Sequence, residues 1–153
     1  MTQEPHDYPV TVRWIGEKEG VAESPDDLPP LPVSSPPQFG GPAGVWSPEH
    51  LLVAATASCL MTTFLAIAGL SSLTILSFEA PAQGTLTRGD DRRFRISRIV
   101  IHPRVTVSRE ADRERALRLL DKAHDACLIT RSLSSEVVIE PAVEVAYPEP
   151  VTV

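Results

Sequence analysis

A surplus of positive charge is missing from this chain. Its 153 residues hold 14 Lys and Arg against 20 Asp and Glu, a formal net charge of −6. Nucleic acid is therefore not an expected partner, because phosphate binding needs clustered Lys and Arg. Aromatic residues are scarce at 5%, so Ala, Leu and Val have to fill the core. No Cys-x-x-Cys pair, phosphate-binding glycine loop or Ser-His-Asp set is visible. Those gaps remove the usual signs of a zinc site, a nucleotide cofactor or a serine hydrolase. The first residues, Met-Thr-Gln-Glu-Pro-His-Asp, offer neither a basic n-region nor an apolar h-region. The expected location is the cytoplasm.

What the chain has in abundance is an uncharged run. No Asp, Glu, Lys or Arg occurs from Leu51 to Phe78. That length fits a membrane span. Thr56, Ser58, Thr62, Thr63, Ser71 and Ser72 interrupt it, and no Lys or Arg flanks it to set an orientation. A soluble helix buried on all sides fits better. In a chain this small, such burial implies that a second subunit covers the helix. No membrane is expected as a partner.

Length and a 42% hydrophobic share predict one globular domain over residues 1–153, with loose tails at 1–7 and 148–153. Residues 8–14 alternate as a strand, 16–20 read as a turn, and 21–24 return as a second strand. The segment 25–37 is too rich in proline for a helix and holds a short extended piece at 31–33. Residues 38–46 read as a loop. Ser47 is then a good N-cap, Pro48 suits the first helical position and Glu49 complements the dipole, opening a helix to about Gly69. Strands near 73–87 and 93–107 meet at the turn Arg88-Gly89-Asp90-Asp91. Ser108, Glu110 and Asp112 open a second helix to about Ala126, on which Ala116, Leu120, Ala123 and Cys127 share a face. A last strand covers 136–146. This order, β-β-(β)-α-β-β-α-β, predicts an α+β fold with antiparallel sheets around central helices.

The two cysteines sit in matching settings, each preceded by small residues on a helical stretch. Buried lone cysteines usually act as small hydrophobes, and that is one reading of this pair. The other has them face one another. One thiolate then attacks an oxidant and becomes a sulfenic acid, and the second thiol condenses with it. A bridge requires Cα atoms within about 7 Å. Leu60, Phe64, Leu128 and Ile129 are candidates to line an apolar mouth that favours alkyl over hydrogen peroxide. A metal is the rival chemistry: His124 and Cys127, with Cys59, make an incomplete Cys-Cys-His set lacking an evident fourth ligand. His6 and His102 have no such neighbours in the sequence.

The string Pro-Pro-Gln-Phe-Gly-Gly-Pro followed by Trp-Ser-Pro-Glu-His-Leu-Leu-Val-Ala-Ala-Thr-Ala-Ser-Cys resembles the first signature of the OsmC/Ohr family, the osmotically inducible and organic-hydroperoxide-resistance proteins. Ala-His-Asp-Ala-Cys-Leu-Ile-Thr-Arg-Ser-Leu resembles the second. The Gly-Gly and Trp-Ser-Pro wording of the first is similar to a less defined OsmC-like branch. The resemblance implies an intertwined homodimer whose sheets wrap long central helices. It also implies a thiol peroxidase that reduces organic hydroperoxides to alcohols. In that reading Cys59 attacks, Cys127 resolves, and a small dithiol or lipoylated reductant reduces the disulfide, with no metal or organic cofactor.

Glu49 matches the glutamate of the first signature. It lies about 15 Å along an ideal helix from Cys59, so a role at the thiol implies the partner chain's Cys59 or an intervening arginine. Its other reading is a glutamate complementing the helix dipole. Active family members carry an arginine in the turn after the first strand, whereas this turn reads Ile-Gly-Glu-Lys-Glu-Gly. Lys18 is the nearest match and Arg13 the alternative; a lysine cannot reproduce a bidentate arginine fork. Leu128 also stands where peroxidase members often have proline. The alternative function is thus a non-enzymatic dimer of the same fold that binds a small hydrophobic ligand or senses thiol oxidation.

Overall fold

The computed structural model describes residues 3–146, and the chain divides into two compact units, Met1–Leu51 and Leu52–Val153. The expected tail at 148–153 lies outside the described residues, as do residues 1 and 2 of the expected tail at 1–7.

The first unit is a meander of β1 (Thr11–Gly16), β2 (Glu19–Glu23) and β3 (Leu31–Ser34), antiparallel in that order. Residues 17 and 18 form the turn between β1 and β2, with a bulge between Trp14 and Gly16. β1 starts three residues later than the alternation predicts, beyond Pro9. A 3-10 turn over Pro37–Phe39 follows. Its exit is a backbone constraint: a Cβ on Gly41 would lie 1.6 Å from the Ser35 carbonyl oxygen. Trp46 is tied back to the sheet, its carbonyl accepting the Ser34 N–H at 2.9 Å.

Helix α1 (Pro48–Leu70) starts as the sequence predicts: the Ser47 hydroxyl accepts the His50 N–H at 3.2 Å, in the N-cap manner. It is long and apolar enough to cross a membrane by length and composition alone. In the second unit one stripe, Thr56, Leu60, Phe64 and Ala68, is buried at the four-residue spacing of a single helix face. Ser58, Thr62, Leu65, Ala66 and Gly69 are exposed.

Each long strand expected downstream is broken in two at a proline. β4 (Ile75–Glu79) and β5 (Ala82–Arg88) are parted at Pro81, β6 (Phe94–Ile101) and β7 (Arg104–Val107) at Pro103, β8 (Glu136–Ile139) and β9 (Ala142–Val145) at Pro141. The prolines stand at one level across the strands, since His102 donates to the Pro81 carbonyl and Ala142 to the Pro103 carbonyl. A proline has no N–H for the ladder, and this is where the ladder breaks. Strand order is β4-β7-β9 on one side of the break and β5-β6-β8 on the other. β5–β6 and β4–β7 are antiparallel, whereas β6–β8 and β7–β9 are parallel. The sheets are therefore mixed, where the element order alone predicts antiparallel ones.

The core-facing alternation survives the break. Ile99, Ile101, Pro103, Val105 and Val107 are all buried, every second residue across the junction. They pack with Leu60, Phe64 and Ala68 of α1, and with Ala116, Leu120 and Ala123 of α2 (Arg113–Ala126). Gly84 of β5 admits the helix, as a Cβ there would meet a Val53 methyl at 2.6 Å. The start of α2 differs from expectation. A 3-10 turn, Glu110–Asp112, precedes it, and Asp112 makes no capping bond from its side chain. Arg109 takes that carboxylate instead in a two-pronged grip, Nε at 2.9 Å and Nη2 at 3.1 Å.

Candidate functional site

The helical stretch expected to close on Cys127 does more than end there. Cys127 adopts an extended backbone, φ −62° and ψ 112°, and a one-turn helix α3 (Leu128–Arg131) begins immediately after it. Its position completes the buried face predicted from spacing: Ala116, Leu120, Ala123 and Cys127 are all fully buried. The break has a chemical result. The first N–H groups of a new helix have no carbonyl partner within it, so those of α3 are left free to meet sulfur.

Cys59, on α1, lies against this break, and the two cysteines are free thiols hydrogen-bonded to each other. Burial pushes the Cys59 thiol up. The Ile129 N–H, the Cys127 thiol, the Thr63 hydroxyl and the Leu128 N–H outweigh it and leave the thiol below its ordinary range. The Thr63 Oγ1 stands 3.9 Å from Cys59 Sγ, one helical turn along. Burial also pushes the Cys127 thiol up, and there it prevails. The Thr130 hydroxyl and N–H oppose it, while donation to Cys59 and the nearby Cys59 charge add to it. The groups that favour the Cys59 thiolate are neutral donors of its own unit.

Leu128 is exposed and Ile129 half-buried beside the pair. Leu60 and Phe64 do not line a mouth: both are buried at 1% and 0% exposure in the core, where the four-residue stripe of α1 points.

Glu49 occupies the first turn of α1, and its Oε2 is buried without a hydrogen-bond partner among the described residues. Lys18 donates to the Phe39 carbonyl at 2.7 Å, and Arg13 pairs with Glu23 at 2.9 Å on the exposed side of the first sheet. Both cationic candidates thus hold partners within the first unit. His124 Nδ1 is buried and unpartnered among the described residues, and no three His, Cys, Asp or Glu side chains gather there as metal ligands. His102 pairs with Glu140 at 3.3 Å across the proline level.

Sequence reasoning missed three contributors: Thr63, Thr130 and the paired N–H groups of α3. Thr63 was findable, because a residue four places after Cys59 shares its helix face. The N–H groups were not: the sequence ends α2 near Ala126, but nothing in the local pattern shows that a new helical turn starts directly after Cys127.

Fold and site together describe an α+β protein with a hydrogen-bonded pair of unlike thiols. The family model described as OsmC-like protein matches residues 41–142, more than half of the chain, and the chain belongs to that family. The uncharacterised protein YmaD of Bacillus subtilis (strain 168) is 24% identical over 140 residues, covering 88% of this chain and 91% of its own. An OsmC-like protein of unknown function from Vibrio cholerae O1 biovar eltor superimposes with a TM-score of 0.83 at 22% identity, over 90% of this chain and 100% of that one. An organic hydroperoxide resistance protein from Elizabethkingia anophelis gives 0.75 at 16% identity, over 95% and 100%. The OsmC/Ohr resemblance and the α+β fold read from the sequence are borne out.

Proposed function

We propose that this protein is a cysteine-based peroxidase that reduces organic hydroperoxides to alcohols. The observation that carries the reading is the unlike setting of the two thiols: Cys127 donates to Cys59, whose own thiol lies below its ordinary range. The Cys59 thiolate attacks the distal oxygen of R–OOH and the O–O bond breaks. R–O⁻ takes a proton and leaves as the alcohol, and Cys59 becomes a sulfenic acid. The Cys127 sulfur then attacks the Cys59 sulfur, and hydroxide leaves with the thiol proton as water. The two sulfurs are now a disulfide, which a dithiol such as a lipoyl group reduces while itself becoming a cyclic disulfide. No resident cofactor takes part.

Glu49, through the Oε2 atom that has no partner among the described residues, serves the partner chain's Cys59 together with a cation. Lys18 serves as its cation by giving up the Phe39 carbonyl, or Arg13 does so by giving up Glu23. The working form is a cytoplasmic homodimer. It covers the exposed small and apolar residues of α1 and the exposed β1 side chains Val12, Trp14 and Ile15. A three-stranded meander with so much apolar surface needs a partner to be stable in water.

One observation favours a second reading, a non-enzymatic dimer that binds a small hydrophobic ligand or senses thiol oxidation. The first unit holds a cavity of about 420 Å³ lined by Val12, Trp14, Lys18, Val33 and Pro48 among others. The deciding experiment is peroxide consumption with a dithiol reductant, comparing cumene hydroperoxide with hydrogen peroxide. Preferential loss of the organic peroxide, abolished by Cys59→Ser, supports the peroxidase. No turnover by the folded protein sinks it in favour of the second reading.

A further inference from the structure

The turn that meets both sulfurs is too short to hold its own place. α3 has four residues, and an isolated helix of that length is not stable in water. Its entrance is fixed, because Cys127 continues directly from α2. Its exit is fixed by contacts that lie outside the site. Ser132 closes the turn locally, with its N–H on the Ile129 carbonyl at 2.9 Å and its hydroxyl on the Leu128 carbonyl at 2.8 Å. The chain is then fastened to β6 twice in succession. Arg95 Nη2 donates to the Ser134 carbonyl at 3.2 Å, and the Ser135 hydroxyl donates to the Ile96 carbonyl at 2.6 Å. Only after these does regular pairing begin, with Glu136 of β8 against Arg98 of β6.

We infer that Arg95 and Ser135 are positioning residues for the Cys59 sulfur, fastening the exit of α3 to β6 so that the N–H groups of Leu128 and Ile129 stay aimed at it. Neither touches the thiols; they act through the turn. Without the fastening, the nearest fixed points beyond the turn are Leu133 on the core and the β8 pairing from Glu136, so the one-turn helix frays and its N–H groups turn to water. The Cys59 thiolate then loses neutral donors that no charged group replaces among those acting on it. The same fraying loosens Thr130, which bonds to Cys127. This inference rests on Cys59 being the reactive thiol, as proposed above.

The test is the pH profile of Cys59 alkylation by iodoacetamide, followed peptide by peptide by mass spectrometry. Wild type is compared with Arg95→Met, Ser135→Ala, the double variant and Ser135→Thr. In the double variant the midpoint moves up, and the rate at pH 7 falls about five- to tenfold, since one pKa unit is tenfold in thiolate. Ser135→Thr keeps the hydroxyl and the wild-type profile. Ser97→Ala, which loses a bond to the Thr85 carbonyl on the same hairpin, leaves the profile unchanged. A folded double variant with an unmoved midpoint overturns the inference. If the double variant fails to fold, Arg95→Met alone, a change at an exposed side chain, decides by the same readout. The peroxidase reading fails separately. A midpoint that shifts in a protein that consumes no peroxide leaves the positioning role standing and removes the enzyme.

Discussion

The Cys127 thiol donates a hydrogen bond to the Cys59 sulfur, and the two groups are pushed in opposite directions from the same ordinary value. Donation from one to the other is part of the cause on both sides. The pair is therefore polarised before any oxidant arrives. The half-buried member is the one more easily deprotonated, and the fully buried member the one that holds its proton longer.

That polarity sets an order of reaction with alkylating agents. In the reduced protein Cys59 should be modified at pH values below the ordinary thiol range, because its thiolate persists as pH falls. Cys127 should resist up to pH values above that range. Peptide mapping after brief iodoacetamide treatment across pH 5–10 checks this (about 8.5 being the ordinary thiol pKa). Equal modification of both residues at every pH would contradict the assignment of nucleophile and resolver.

The cysteine variants should stop the cycle at different points. Cys59→Ser is expected to abolish peroxide consumption. Cys127→Ser should consume about one equivalent of cumene hydroperoxide and then stall, because no second thiol condenses with the sulfenic acid. Dimedone labelling of Cys59 in that variant, and its absence from the oxidised wild type, is the readout.

Gly84→Val should lower stability by about 1–3 kcal/mol, since the added side chain pushes against a β-branched Val53 that has no free rotamer to retreat to. Urea unfolding measures the loss. A change below about 0.5 kcal/mol would mean that α1 shifts freely over β5.

Phe64→Ala removes a fully buried ring that packs on Phe78 with centroids 5.7 Å apart. A loss of about 3–5 kcal/mol is expected. Because Phe64 belongs to the core and not to the site, the preference between organic and hydrogen peroxide should persist in whatever fraction stays folded.

Leu65→Arg places a charge on the exposed face of α1, where Leu65 is 41% exposed. If a second copy covers that face, sedimentation should shift from dimer to monomer. A dimer of unchanged stability would place the interface elsewhere.

Much of this architecture was legible because its signals are local. Ser47-Pro48 marks the start of α1 by N-cap chemistry, and the spacing of Ala116, Leu120, Ala123 and Cys127 marks a buried face without reference to the rest of the chain. The pairing of Cys59 with Cys127 was also within reach, as two thiols in similar strings. What stayed hidden depends on contacts between distant segments. Nothing near Leu60 or Phe64 tells that their stripe faces the sheet and not a mouth. Parallel pairing of β8 with β6 is a matter of topology, and alternation reads the same either way. Charge and position in or beside the first turn mark Lys18 and Arg13, whereas their partners, the Phe39 carbonyl and Glu23, are set by how the first meander folds.

The three prolines make a crease, and Cys127 sits on the joint between the two plates it defines. α2, which ends just before Cys127, lies on β7 and β9 of one plate. The segment after α3 is fastened to β6 and runs into β8 of the other. One four-residue turn is thus shared by both plates: its entrance belongs to the plate under α2 and its exit to the plate of β6 and β8.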